Sequence, residues 1–213
     1  MKIISFEGIE GVGKSTQINL LKEYLEKNKF KVDVFREPGS TKNAEKIRQI
    51  LLDNNNNLSY ETELLLMFAA RSELVGKKIL NSESDFILLD RFYDASIAYQ
   101  GYGRDLSIDF IESLVDFIKC PKPHLTFLLD FSVEEGFARK TEDRKDRIES
   151  SGSVFFNKVR EGYLKIAEFE KDRFKIINAS NNIEDIHKNI TDHVNTLWLI
   201  FHHITGLTKF FTI

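Results

Sequence analysis

A three-layer α/β fold, with a five-stranded parallel sheet flanked by helices, is predicted for this 213-residue chain by three observations. Five short β-rich runs alternate with longer amphipathic segments, the pattern of strand–helix–strand units. The runs are nearly continuous in apolar residues, as strands covered on both faces require. The first run passes straight into a glycine-rich turn and a helical pattern. The predicted strands are residues 2–6 (KIISF), 32–35 (VDVF), 86–90 (FILLD), 125–130 (LTFLLD) and 174–178 (FKIIN). Helical periodicity falls in residues 17–29, 44–53, 60–80, 108–119 and 154–171. Ligands in such a fold belong at the carboxyl ends of the strands.

With 42% hydrophobic and 30% charged residues, the chain has the material for one substantial core, and a single domain is expected over 1–213. A formal net charge of −3 without a dominant basic block argues against a nucleic-acid surface. The lone Cys120 has no partner for an internal disulfide, which fits a reducing cytoplasm. His187 and His193, and the adjacent His202 and His203, lack a zinc-ligand spacing. The opening residues have no signal-peptide pattern. Residues 197–213 are strongly apolar, but His202, His203, Gly206 and Lys209 interrupt them. They fall short of the roughly 20 apolar residues of a membrane span, so a packed terminal helix or subunit contact is expected. Asn54 to Asn57 read as a turn, and residues 138–153, highly charged, as a surface excursion.

The turn after the first strand, Gly8-Ile9-Glu10-Gly11-Val12-Gly13-Lys14-Ser15, fits GxxxxGK[ST]. Its glycines let backbone N–H groups face phosphate, and the helix N-terminus that follows favours anions. Lys14 is suited to the β and γ oxygens of a nucleoside triphosphate, and the Ser15 hydroxyl to Mg²⁺. Gly8 to Thr16 are therefore assigned to a nucleoside triphosphate, within a P-loop NTPase fold. The guanine-reading NKxD is missing, since the near match at residues 157–160, NKVR, lacks the aspartate.

A second group of residues lies where later strands end. Arg36, Glu37 and Pro38 follow the second strand, with Glu37–Pro38 a candidate cis peptide, and Arg48 lies on the next helix. Asp90 and Arg91 end the third strand, an acid suited to Mg²⁺ beside a guanidinium suited to phosphate. Ser96, Tyr99 and Gln100 share one face of a short helix, as do Phe68 and Arg71 on the long helix before it. Together they outline a slot for a flat base with polar contacts at its edge.

These residues carry a resemblance to the bacterial thymidylate kinases, which phosphorylate dTMP to dTDP with ATP. The matching pieces are FEGIEGVGKST, REPGST, FAARSELV, LLDRFYDASIAYQGYGR, DRIES with FFNKVREGYLKIA, and FKIINAS, in the family's order over residues 3–179. The resemblance implies that the triphosphate on Gly8 to Thr16 is ATP, that Arg91 binds the acceptor phosphate, with Arg48 nearby, and that Glu10 approaches the acceptor's sugar. Glu37 and Pro38 would border the acceptor, and Tyr99 would close the sugar side. Thymine would stack on an aromatic of the long helix and meet Arg71, Ser96 and Gln100. Many relatives carry that aromatic four residues before the arginine, where this chain has Met67; Phe68, three before, is chosen as the platform. Relatives often have two serines where this chain has Ala95-Ser96.

Some relatives place a catalytic arginine after the loop acid, where this chain has Gly11. The resemblance assigns the missing charge to a lid over 138–153, with Arg144 as first choice, Arg139 as second, and Arg147 anchoring the lid. Lys14, Glu10, Arg91, Arg144 and Arg139 are thus the expected catalytic set, with Mg²⁺ on Ser15 and Asp90. A cytoplasmic homodimer acting on ATP and dTMP, with no nucleic-acid or membrane partner, is the implied setting. Two alternatives stay open at this level: a P-loop kinase for another nucleoside monophosphate or a deoxynucleoside, and a nucleotide-dependent switch or ATPase.

Overall fold

The computed structural model describes the main chain of residues 1–139 and 146–205, with side chains over 1–136 and 146–197. Five strands, β1 (Lys2–Glu7), β2 (Val32–Arg36), β3 (Phe86–Asp90), β4 (Leu125–Asp130) and β5 (Phe174–Asn178), form one sheet in the order β2-β3-β1-β4-β5. Every pairing is parallel. The predicted strands thus match to within a residue at their ends. The apolar runs explain why: Ile3, Ile4 and Phe6 of β1, Ile87, Leu88 and Leu89 of β3, and Phe127, Leu128 and Leu129 of β4 are all buried. Ser5 interrupts the β1 run without an orphaned hydroxyl, because its Oγ lies 2.8 Å from Thr126 Oγ1 on β4.

The helices are α1 (Lys14–Lys27), α2 (Lys42–Leu52), α3 (Tyr60–Leu74), α4 (Tyr93–Ser96), α5 (Ile108–Phe117), α6 (Val133–Arg139), α7 (Gly152–Phe169) and α8 (Ile183–Thr205). Hydroxyl caps start three of them: Thr41 accepts from the Ala44 amide, Ser59 from Thr62 and Ser107 from Phe110. Helix α1 packs along β1, β2 and β3, α7 along β4 and β5, and α8 joins α1 to β5.

Sequence periodicity misses four features: two π segments, α6, and the part of α8 that precedes the apolar tail. The last turn predicted for the long helix is a π-turn, Val75–Ile79, and α4 continues as a π-helix, Ile97–Gly103. A π segment breaks the 3.6-residue repeat, so it is invisible to that pattern, and it is common at functional sites. Helix α6 occupies the approach to the predicted excursion, whose residues 140–145 lie outside the described residues. Helix α8 carries the start of the apolar tail; residues 206–213 also lie outside them. No helix among the described residues is long and apolar enough to cross a membrane.

One buried ion pair fixes the helix that carries the candidate base contacts. Arg173, just before β5, donates to both carboxylate oxygens of Asp94 on α4, at 2.8 and 2.7 Å, and to Thr126 Oγ1 at 2.8 Å. The Asp94 side chain has no exposed surface. Asp94→Ala leaves the buried Arg173 guanidinium with only Thr126 and the 3.2 Å contact of its Nε with Glu170 Oε2 among the described residues, and a loss of about 3 kcal/mol of stability is expected, read from urea denaturation midpoints.

Candidate active site

A cavity of about 500 Å³ opens at the carboxyl ends of β1, β2 and β3. Its first wall is the loop from Gly8 to Gly13. Gly8 (φ 130°) and Gly11 (φ 77°) hold backbone angles that side chains rarely adopt, and a β-carbon on either would strike a backbone oxygen, of Leu129 and Gly136 respectively. The glycine at position 11 is therefore required by its contact with α6, which bars an arginine there on steric grounds alone. Ile9 and Val12 are buried in the core, so this stretch offers a ligand its backbone. Glu10, Gly11, Lys14 and Ser15 line the cavity, and Ser15 Oγ donates to Asp90 Oδ2 at 3.2 Å. Thr16 is exposed on the first turn of α1.

Lys14 Nζ donates to the carbonyls of Ile9 (2.8 Å) and Gly8 (3.1 Å) and is buried. Burial, then the neighbouring Arg91 charge, pushes its pKa down to about 8. Below that value the folded protein carries a disfavoured charge; the penalty is relieved as pH rises through 8 toward the 10.5 of an unfolded lysine. A triphosphate bound at the loop would restore the charge. Binding at pH 8 is therefore expected to take up about half a proton from Lys14 alone. Calorimetry in two buffers of different ionisation enthalpy measures it, and proton release would contradict this electrostatic reading.

Arg91 follows β3 with φ 68°, a conformation that turns its side chain back onto the loop. Its guanidinium donates to Gly8 O (2.7 Å), Tyr163 Oη (3.3 Å) and Glu10 Oε1 (2.7 Å). Tyr99 Oη donates to the same Glu10 carboxylate at 3.0 and 3.1 Å, and the guanidinium sits 4.9 Å over the Tyr99 ring. Behind them lies Glu7, wholly buried, accepting from the Phe92 amide and Tyr163 Oη, each at 2.7 Å. Burial, then the Asp94 charge, raises Glu7 to about 8. Glu7 and Tyr163 escaped sequence reading because the first looks like an ordinary strand end and the second like a helix-core aromatic. Only the fold brings them under Arg91.

Beyond Arg91 the cavity wall is made by β2, α3 and α4. The Glu37–Pro38 peptide is cis. Glu37 Oε2 accepts from Arg71 Nε at 2.7 Å, both side chains being buried, and Arg48 donates to Pro38 O at 2.9 Å. Arg71 also donates to Ser96 Oγ (3.0 Å) and Phe92 O (3.2 Å). Glu37, Pro38, Arg48, Arg71, Ser96, Tyr99 and Gln100 all line the cavity.

Phe68 is where placement departs from expectation. It is buried in the core with the Arg71 guanidinium 4.6 Å over its ring, and Met67 is the residue that lines the cavity. One residue turns a helix by about 100°, enough to point the position four before Arg71 into the cavity and the next one inward. The side chain of Arg139 and the whole of Arg144 lie outside the described residues. Arg147 is described: its Nε donates to Leu51 O (2.8 Å) and its NH2 to Glu63 Oε2 (2.7 Å). Ile148 and Glu149, just beyond it, line the cavity, a contribution the sequence did not mark.

The parallel sheet, the glycine loop capping α1 and the lysine and arginine that share one cavity define a P-loop nucleotide-binding protein with room for a second anion. The thymidylate kinase family model matches residues 6–190. A thymidylate kinase of Thermoanaerobacter sp. (strain X514) is 43% identical over 91% of this chain and 97% of its own length. One of Kosmotoga olearia is 44% identical over 88% and 92%. The solved thymidylate kinase from Ehrlichia chaffeensis superposes with a TM-score of 0.74 at 32% identity, covering 91% of this chain and 98% of that one. The chain belongs to the thymidylate kinase family.

Proposed function

We propose that the protein transfers the γ-phosphate of ATP to dTMP, giving dTDP for dTTP synthesis. The observation that carries this reading is that Lys14 of the phosphate loop and Arg91 line the same cavity as Arg71 and Gln100. Two anions and a base edge then meet in one space.

Transfer between phosphates needs no base, because the acceptor oxygen is already nucleophilic; the residues position and neutralise. The Gly8–Gly13 amides and Lys14 hold the donor phosphates. Among the described residues Arg91 keeps its Nε–H and one NH2 hydrogen uncommitted beyond the three contacts above, a pair suited to the acceptor phosphate. Glu10 and Tyr99 brace that guanidinium and lie where the deoxyribose would pass. Ser15 and Asp90 offer the hard oxygen donors that Mg²⁺ prefers, and the ion, when bound, would offset charge on the donor phosphates. Arg144, with Arg139 as second choice, is proposed to bring positive charge to the transferring group. A cytoplasmic homodimer is proposed on family resemblance, and mass in solution with and without residues 197–213 tests the tail's part in it.

A coupled assay across dTMP, dUMP, dCMP, AMP and thymidine tests the activity. The highest kcat/KM is expected for dTMP; preference for thymidine would overturn the monophosphate reading.

A further inference from the structure

Glu63 stands in the first turn of α3, where an acid ordinarily faces water, yet it is fully buried. Three side chains from outside α3 converge on it: Gln100 Nε2 at 2.9 Å, Arg104 NH2 at 3.3 Å and Arg147 NH2 at 2.7 Å. Burial disfavours its charge, but the Gln100 N–H and the two guanidinium groups outweigh that and hold its pKa below the usual carboxylate value. At neutral pH Glu63 is thus an acceptor and nothing else.

That has a consequence for Gln100. An amide facing a carboxylate must present its NH₂, so the orientation of this side chain is settled by chemistry. Its Oε1 is left without a hydrogen-bond partner among the described residues, on a side chain that lines the cavity. Arg71, on the same cavity, is a pure donor; with Nε on Glu37, one NH1 hydrogen on Ser96 and one NH2 hydrogen on Phe92 O, two N–H groups remain unpaired among the described residues.

We propose that Glu63 sets the acceptor-base specificity of the enzyme by locking Gln100 with its carbonyl oxygen toward the base, so that Arg71 and Gln100 read a ring carbonyl beside a ring N–H. Thymine and uracil present that edge. Cytosine presents an amino group beside an unprotonated nitrogen, which sets donor against donor and acceptor against acceptor, leaving buried polar groups unpaired. The proposal rests on Gln100 meeting the base edge, as placed under the proposed function.

The test is the ratio of kcat/KM for dTMP over dCMP in the wild type, Glu63→Gln, Glu63→Asp, Gln100→Met and the double variant Glu63→Gln/Gln100→Met. Glutamine at 63 both donates and accepts, which frees Gln100 to turn over. Aspartate keeps the charge against both arginines but stops one methylene short of Gln100, a second route should the glutamine variant fail to fold. Either single change at 63 is expected to lower the ratio at least about tenfold, chiefly through KM. In the Gln100→Met background the further change at 63 is expected to move it less than about twofold. If dTMP and dCMP fall in parallel in whichever variant at 63 folds, Glu63 is only a brace and the proposal is overturned. If Gln100→Met leaves the ratio unchanged, the placement of Gln100 itself fails, and the proposal fails with it.

Discussion

Arg91→Ala is expected to lower kcat/KM for dTMP by at least about 1000-fold, with KM raised and kcat reduced together. The guanidinium does two things that alanine cannot replace. It ties Gly8 O, Tyr163 Oη and Glu10 into one assembly, and on the proposed reading it offers its remaining N–H groups to the acceptor phosphate. Without it Glu10 keeps Tyr99 as its partner among the described residues and becomes a half-buried negative charge facing an incoming anion. Lysine should rescue little, because one ammonium group cannot span the loop carbonyl, the carboxylate and a phosphate at once. Steady-state kinetics against dTMP at saturating ATP checks this, and unchanged constants would move the acceptor phosphate elsewhere.

Lys14→Ala is expected to cost a similar factor, about 1000-fold, mainly in kcat. The physical basis is the same burial that lowers its pKa: a cation held in a water-poor loop stabilises phosphate charge more strongly than one in solvent. In the free protein that charge is disfavoured at pH 7, so its removal relieves one cost while it leaves the Gly8 and Ile9 carbonyls short of a donor. The Tm is therefore expected to stay within about 3 °C of wild type at pH 7. A collapse of Tm alongside activity would make Lys14 a structural residue first.

The strands were legible because their signal is local. A buried parallel strand must be apolar at nearly every position, and FILLD and LTFLLD are. The phosphate loop was legible for a similar reason, since each glycine answers to a backbone angle within eight residues. What the sequence hid depends on distant partners. Glu63 reads as a surface acid of a first helical turn, and its partners lie 37, 41 and 84 residues away. Glu7 meets Phe92 and Tyr163 across 85 and 156 residues. A buried charge is tolerable only where its partners converge, and nothing local in a single sequence announces convergence. The choice between Met67 and Phe68 turned on one residue step of a helix, a rotation that apolar periodicity does not resolve when both positions are apolar. The π-helix carrying Tyr99 and Gln100 was missed in kind, although Ser96, Tyr99 and Gln100 do line one cavity.

The central claim is direct transfer of the γ-phosphate of ATP to dTMP in the cavity shared by Lys14 and Arg91. ATP radiolabelled at its γ position, mixed with dTMP and excess protein for a single turnover, tests it most directly. The label is expected in the β-phosphate of dTDP, with only traces as inorganic phosphate. Label released as inorganic phosphate at a rate indifferent to dTMP would contradict it.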